Sequence, residues 1–274
     1  MDIQNALEIV SQTNPGVVRS HNEDSVAHDT SVGLVVLADG MGGYNAGEVA
    51  SGIAVSVLSS EVGHHLKDAR PEDLNDANEE LGLALLRENV KKSNLSIFNA
   101  AQSQPQYAGM GTTIVTALFY DNRMAVAHIG DSRLYRLRDE ELECLTRDHS
   151  LLQEQIDSGL ISKDEARQSK NKNLVTRAVG IDADVEPELQ MYDVRAGDIY
   201  LLCSDGLNDM VEDEDIATTI QMLRNNLPLA ATQLIQMAND NGGRDNVSVI
   251  LVKVKGRFAA PNKWLAKLRS WFVN

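Results

Sequence analysis

Two cysteines in a chain of 274 residues are too few for a disulfide framework. Cys144 and Cys203 stand far apart and form no C-x-x-C pair, so no thiolate zinc site is indicated, and both read as buried apolar residues. Thiol chemistry on phosphate needs an arginine six residues after the cysteine. Ser150 and Asp209 occupy those places, so the thiol route lacks its phosphate clamp. Long apolar runs are missing too: none reaches the ~18 residues that cross a bilayer. The opening "MDIQNALEIV" has neither a basic start nor a following apolar core. The expected setting is the cytosol.

Positive charge is scarce. Twenty-five Lys and Arg face 40 Asp and Glu, for a net charge of −15, and Lys255 to Asn274 alone holds five basic and no acidic residues, leaving −20 on the preceding part. Such a body repels nucleic acid and anionic membranes. A nucleotide cradle is also absent. In "VVLADGMGGYNAGEVAS" the spacing from Gly42 to Gly47 suits a P-loop, but Glu48 follows where a lysine is needed. Asn45 breaks the dinucleotide fingerprint as well.

With 43% hydrophobic residues the chain can bury one large core, and the reading is one domain, 1–254, with a tail, 255–274. Ala46, Val49, Ala50, Ile53, Ala54, Val57 and Leu58 fall at helical spacing. A second helix is expected after Pro71, with a stripe of Leu83, Leu86, Val90, Ile97 and Ala101 that Asn94 interrupts as a hydrogen-bonded core residue. From Thr112 the pattern turns to short strands, "TTIVTALFY", "MAVAHIG", "RLYRLR" and "LECLT", separated by the turn compositions "DN", "DS" and "DEE". These tight turns predict antiparallel neighbours, as does "RAG" between "EPELQMYDV" and "DIYLLCS". Helices are expected over about Glu212 to Asn239, before the closing strand "NVSVILVKV". Clustered strands and paired helices favour layered antiparallel sheets over a parallel one. The polar stretch 148–180, with a capping box at Ser162 and Glu165, reads as a flap or a surface insertion.

Four aspartates share one kind of position. Asp39, Asp131 and Asp205 each follow an apolar strand and Asp245 precedes one, with glycine beside the first three. Carboxylates gathered at one sheet edge repel unless a cation holds them. Oxygen-only ligands point to magnesium or manganese, two of which would lower the pKa of a shared water and clamp a phosphoryl group.

In order, "RSHNEDS", "ADGMGG", "GMGTT", "HIGDSR", "TRAVG", "CSDGLND" and "GRDNVSV" closely resemble the metal-dependent serine/threonine protein phosphatases of the PPM type, or 2C class, in their compact bacterial form. The likeness spans about Glu8 to Val254. It implies an α+β fold, a four-layer αββα sandwich of two antiparallel sheets flanked by helix pairs. It further implies that Asp39 bridges two metals, that the carbonyl of Gly40 binds one, and that Asp205 and Asp245 complete the other. Glu23, Asp24 and Asn246 stand behind these ligands, Glu23 and Asp24 through metal-held waters. A third metal near the flap falls to Asp131 and Asp205, and Arg19 grips the substrate phosphate with its planar fork. Met41 departs from the pattern of many eukaryotic relatives, which place a proposed proton-donating histidine there; His21 and His149 are the alternative donors, beside a metal-held water.

The expected activity is hydrolysis of phosphoserine and phosphothreonine in proteins by a hydroxide bridging two Mn²⁺ or Mg²⁺ ions, without a phosphoenzyme, by a monomer opposing a serine/threonine kinase. Its rivals are a non-catalytic phosphoprotein reader and a metal-dependent hydrolase of small phosphate esters. In the tail, Trp264, Leu265, Leu268, Trp271 and Phe272 make an apolar helical stripe beside Lys263, Lys267 and Arg269. Such a segment can pack on its own acidic body, lie on an anionic membrane or dock on a partner.

Overall fold

Along residues 34–38 side chains alternate between two apolar layers, as the period of two in a strand requires. Leu34, Val36 and Ala38 point to one, Val35 and Leu37 to the other. A strand apolar on both faces must be covered twice. The computed structural model, which describes residues 2–43, 46–162, 165 and 174–260, shows how. In chain order it contains α1 (Ile3–Ala6), β1 (Leu7–Asn14), β2 (Asp24–Asp29), β3 (Leu34–Met41), α2 (Ala46–His65), α3 (Leu81–Ser103), β4 (Gly111–Thr112), β5 (Ile114–Tyr120), β6 (Arg123–Ile129), β7 (Arg133–Arg138) and β8 (Glu141–Cys144). There follow α4 (Leu151–Asp157), β9 (Glu188–Asp193), β10 (Ile199–Cys203), α5 (Asp205–Asn208), α6 (Asp213–Met222), α7 (Leu227–Asp240) and β11 (Val247–Val254).

Two antiparallel sheets result, ordered β1-β11-β10-β7-β8 and β2-β3-β5-β6-β9, with β4 pairing to β3. Leu37, Val115, Phe119, Tyr200, Ile250 and Val252 fill the space between the sheets. The outer face of the second sheet packs on α2 and α3 through Ala50, Ala54, Leu58, Leu86, Val90 and Ile97, and that of the first on α6 and α7 through Ile216, Ile220, Leu234 and Ala238. This is the four-layer αββα sandwich, an α+β fold.

Two expectations of simple hairpins are corrected. Asp121 and Asn122 both have positive φ and close a tight β5–β6 turn, as such turns require. The "DS" turn instead carries the chain from β6 in one sheet to β7 in the other, and the link from β9 to β10 likewise changes sheets. A two-residue spacing cannot say whether the next strand lies beside its predecessor or above it. The helix expected after Pro71 begins ten residues later, at Leu81. Asn94 is buried: its Nδ2 donates to the carbonyls of Asp182 and Ala183, and Gly180 N donates to its Oδ1 (2.7 Å), fixing the turn after the flap. Cys203 is buried, whereas Cys144 is exposed, contrary to the reading of both as core.

Of the 148–180 stretch, both stems are described. Leu151 N donates to Leu174 O, Thr176 N to His149 O, and Thr112 and Val179 exchange two backbone bonds. The Ser162–Glu165 capping box is present, with each residue bonding the other's backbone N–H. Residues 163–164 and 166–173, and the tail stripe from Trp264 to Phe272, lie outside the described residues.

Candidate metal centre

Strand ends deliver the acidic residues to one edge of the sandwich. Asp39 and Gly40 sit near the end of β3, Asp131 in the crossover after β6, Asp205 at the start of α5 directly after β10, and Asp245 just before β11. Arg19, Glu23, Asp39, Gly40, Asp131, Asp205 and Asp245 line one cleft of about 200 Å³ with Met41, Thr113 and the flap's Val175. All four aspartates singled out from the sequence are therefore brought together. Asp24, opposite Asp39 in the β2–β3 register, lies buried behind them.

Tight backbone packing sets these positions. Gly40 N donates to Glu23 O (3.1 Å), and a Cβ on Gly40 would stand 2.1 Å from Gly47 O and 2.5 Å from Glu23 O. Only glycine lets β3, the Glu23 loop and the start of α2 approach this closely. Thr112 Oγ1 and Thr113 N both donate to Asp39 O (2.8 Å each), while Asp39 N donates to Thr113 Oγ1 (3.2 Å). Asn246 ties three segments: its Nδ2 donates to Pro15 O and His21 O, and its Oδ1 accepts from Glu23 N (2.8 Å). Ser204 Oγ donates to Asp24 Oδ2 (2.8 Å) and accepts from Ser248 N (3.0 Å).

Thr112, Thr113, Ser204 and Ser248 were missed as supporting residues. The only signal was their place inside the motifs, since hydroxyls that orient a neighbour carry no periodicity.

Repulsion dominates the electrostatics. Burial, then the neighbouring carboxylates of Asp24, Asp205, Asp131 and Asp245, holds Asp39 well above the usual carboxylate range. Burial and Asp131, Asp209, Asp245 and Asp24 do the same to Asp205. Asp131 is pushed up to about 7 by burial and Asp148, and Asp24 to about 6 chiefly by burial. Burial also raises Glu23. Among the described residues Arg19 is the cation of the cleft lining, and its Nη2 donates to Asp245 Oδ2 (2.7 Å). Burial lowers the Arg19 pKa, but the bond and charge of Asp245 outweigh it and the net shift is upward. The structure thus places Arg19 at the site with one arm spent on Asp245.

A hard divalent cation fits this arrangement. The donors are oxygens, the carboxylates cannot all ionise without a counter-charge, and the buried Oδ1 of Asp24 has no hydrogen-bond partner. Asp39, the carbonyl of Gly40, Asp205, Asp245 and Asp131 could hold such ions.

A histidine cluster, not anticipated from the sequence, lies behind Asp131. His128 and His149 stack with ring centroids 4.8 Å apart, and both face Glu188 Oε2, at 4.0 and 3.4 Å from their Nε2 atoms. His128 Nε2 lies 3.0 Å from Arg147 O, and His149 Nδ1 receives the N–H of Gly130 (3.1 Å) while Arg177 Nη1 stands 3.2 Å from its Nε2. Three of the four ring nitrogens are therefore engaged by the protein itself, and only the buried Nδ1 of His128 lacks a partner. Neither His21 nor His149 is among the residues lining the cleft.

Comparison with known proteins agrees with this geometry. Residues 17–241 match the model of the family described as protein phosphatase 2C. The chain is 41% identical over 249 residues to the serine/threonine protein phosphatase PstP of Mycobacterium tuberculosis, covering 90% of this chain but only 45% of that protein, so it spans about half the length of that relative. It is 37% identical over 256 residues to the serine/threonine phosphatase stp of Listeria monocytogenes, covering 91% and 98% of the two chains. A crystal structure of the M. tuberculosis phosphatase PstP/Ppp superposes with a TM-score of 0.81 at 40% identity, covering 91% of this chain and 99% of that one. Another, of the PstP catalytic domain in complex with two manganese ions, gives 0.78 at 40% identity over 90% and 97%. With this sandwich, this acidic cleft and a family match across most of its length, the chain belongs to the protein phosphatase 2C family.

Proposed function

We propose that this chain hydrolyses phosphoserine and phosphothreonine esters in proteins, with two manganese or magnesium ions held by Asp39, the Gly40 carbonyl, Asp205 and Asp245, and a third within reach of Asp131 and Asp205. The observation that carries the reading is the convergence of four aspartates from distant segments, beside one arginine, in a cleft open to solvent. The named activity of the full-length Listeria relative and the two manganese ions of the mycobacterial domain support it. When bound, such ions supply Lewis-acid charge and lower the pKa of water near phosphorus.

The chain's own residues supply position. Hydrogen bonds from Thr112 and Thr113 fix the backbone of Asp39, so its carboxylate is presented without rotation of β3. Asn246 holds the Glu23 loop, and Ser204 orients Asp24 behind Asp39. Arg19 offers the guanidinium arm not engaged by Asp245 to the equatorial oxygens of a phosphoryl group. Met41 on the cleft wall cannot donate a proton, so the alkoxide leaving group takes its proton from water. A serine/threonine kinase that installs the phosphate, a monomeric chain and a cytosolic setting complete the reading. A substrate panel tests the choice of protein substrate. Phosphoserine and phosphothreonine peptides should be turned over with a higher kcat/KM than small phosphate esters, and the reverse order would assign the site to small esters.

A further inference from the structure

At the end of the sandwich away from the metal cleft lies a larger groove, about 580 Å³, with no part in the chemistry above. Strand β5 links the two ends: Thr113, just before it, lines the cleft, and Tyr120 at its end lines the groove, roughly 20 Å apart at strand rise. Ile3, Val32, Leu66, Phe119 and Phe258 give the groove an apolar floor. Among the described residues its polar lining carries Asp2, Glu72 and Asp121 with Arg70, and Arg123 Nη2 stands 3.6 Å from Asp121 Oδ2.

The chain itself runs into this groove. After β11 it passes over the mouth, where Phe258 N donates to Asn122 Oδ1 (2.8 Å) and Ala260 N to Asp121 Oδ1 (2.9 Å). Phe258, Ala259 and Ala260 form part of the wall. The fourteen residues that follow, 261–274, therefore start at the groove with no linker to cross. Their sequence complements it in two independent respects. Trp264, Leu265, Leu268, Trp271 and Phe272 recur at helical spacing, and Lys263, Lys267 and Arg269 stand among them without an acidic residue, opposite the acidic rim. In helical form the segment would extend about 21 Å. It would cover the apolar floor while leaving the cleft at the other end open.

We infer that Pro261–Asn274 docks as an amphipathic helix in the groove between Leu66, Val32 and Phe258 of its own chain, apolar stripe inward and basic residues toward Glu72 and Asp2. This commits the tail to its own body over a membrane or a second protein. The body's strong negative charge attracts the basic segment and opposes approach of that same body to an anionic bilayer.

The chain carries a direct probe, because its two tryptophans, Trp264 and Trp271, both lie in this segment. Tryptophan emission from the intact protein therefore reports the tail alone. Docking predicts emission shifted to the blue of a synthetic 261–274 peptide and several-fold weaker quenching by acrylamide, both independent of protein concentration and of added lipid. Val32→Glu places a charge on the groove floor and should restore peptide-like emission and quenching. Glu72→Lys reverses one rim charge on the surface, where folding is tolerant, and should raise quenching in the same direction, more so at low salt. Neither residue belongs to the cleft, so phosphatase activity should not change.

Protection that survives both variants would overturn the assignment, because the tail would be covered elsewhere. So would protection that appears only at high protein concentration, which marks a second copy. Tryptophans that are quenched like the free peptide in buffer and become protected only with phosphatidylglycerol vesicles would overturn it in favour of a membrane surface.

Discussion

Gly130 and His149 are bonded to each other twice: His149 N donates to Gly130 O (2.9 Å), and Gly130 N donates to His149 Nδ1 (3.1 Å). This double contact joins the residue before Asp131 to the stem of the flap, since His149 O also accepts from Thr176 N (2.8 Å). Burial, the neighbouring His128 and Arg177 push the imidazole pKa down to about 4, so it is neutral at physiological pH. It positions and does not titrate. His149→Ala should therefore raise the manganese concentration needed for half-maximal activity and destabilise the fold by about 1–3 kcal/mol, the cost of a buried unmatched donor. The pH–rate profile between 6 and 8 should keep its shape. Loss of one limb of that profile would make His149 a proton donor after all.

The crowded carboxylates make stability depend on pH in a direction unusual for acidic groups. Asp131 at about 7 and Asp24 at about 6 bind protons in the fold that the unfolded chain has already released. Their contribution is complete below the ordinary carboxylate value near 3.8 and is lost as pH rises through 6 and 7. The lowered His128 and His149 act in the opposite sense and below their ordinary value of 6.5. From pH 6.5 to about 7.5 the two histidines, still partly protonated in the unfolded chain, offset part of the slope, but the raised carboxylates, Asp39 and Asp205 among them, outnumber them and set its sign. Thermal unfolding in a chelator should give a Tm that falls across this range, and the rise in Tm on adding manganese should be larger at pH 8 than at pH 6.5.

Removing one charge separates stability from activity. Asp39→Asn should raise the Tm of the metal-free protein, because it relieves repulsion from Asp24, Asp205, Asp131 and Asp245. The same change should cut manganese-dependent phosphate release by at least about 100-fold. Calorimetry and a phosphate assay on one preparation check both. A lower metal-free Tm would show that Asp39 is a structural acid.

Glycine at position 40 is a steric requirement. Gly40→Ala drives a methyl into Gly47 O and Glu23 O and should cost about 3 kcal/mol or more. Gly52→Ala in α2 meets nothing within 4 Å and should stabilise by about 0.5–1 kcal/mol. Denaturant titration of the two variants measures the contrast.

Arg19→Lys keeps the charge but loses the planar fork, so it should raise KM for a phosphopeptide about tenfold with a smaller change in kcat. Steady-state kinetics decide this, and an unchanged KM would remove Arg19 from phosphate binding.

The layered sandwich and its acidic edge were legible because both follow from local pattern. Unbroken apolar runs along β3, β10 and β11 require cover on both faces, and Asp39, Asp205 and Asp245 each stand at the end or the start of one of these runs. Asn94 was legible for the same reason, as a polar break in an apolar helix face. The two sheet-to-sheet crossovers were not, since a short turn has the same composition whether the chain reverses beside itself or passes to the opposite layer. The stack of His128 on His149 was equally hidden. It depends on residues 21 apart in sequence meeting Glu188, and nothing in their local pattern signals the meeting.

The central claim is that this acidic cleft works only by holding hard divalent cations. Its most direct test is phosphate release from a phosphothreonine peptide by the purified chain, measured with manganese, after chelation, and in Asp205→Asn. The account predicts turnover in the first case and loss in the other two, with manganese restoring the chelated wild type but not the variant. Turnover that persists in chelator, or in Asp205→Asn at the wild-type rate, would contradict it.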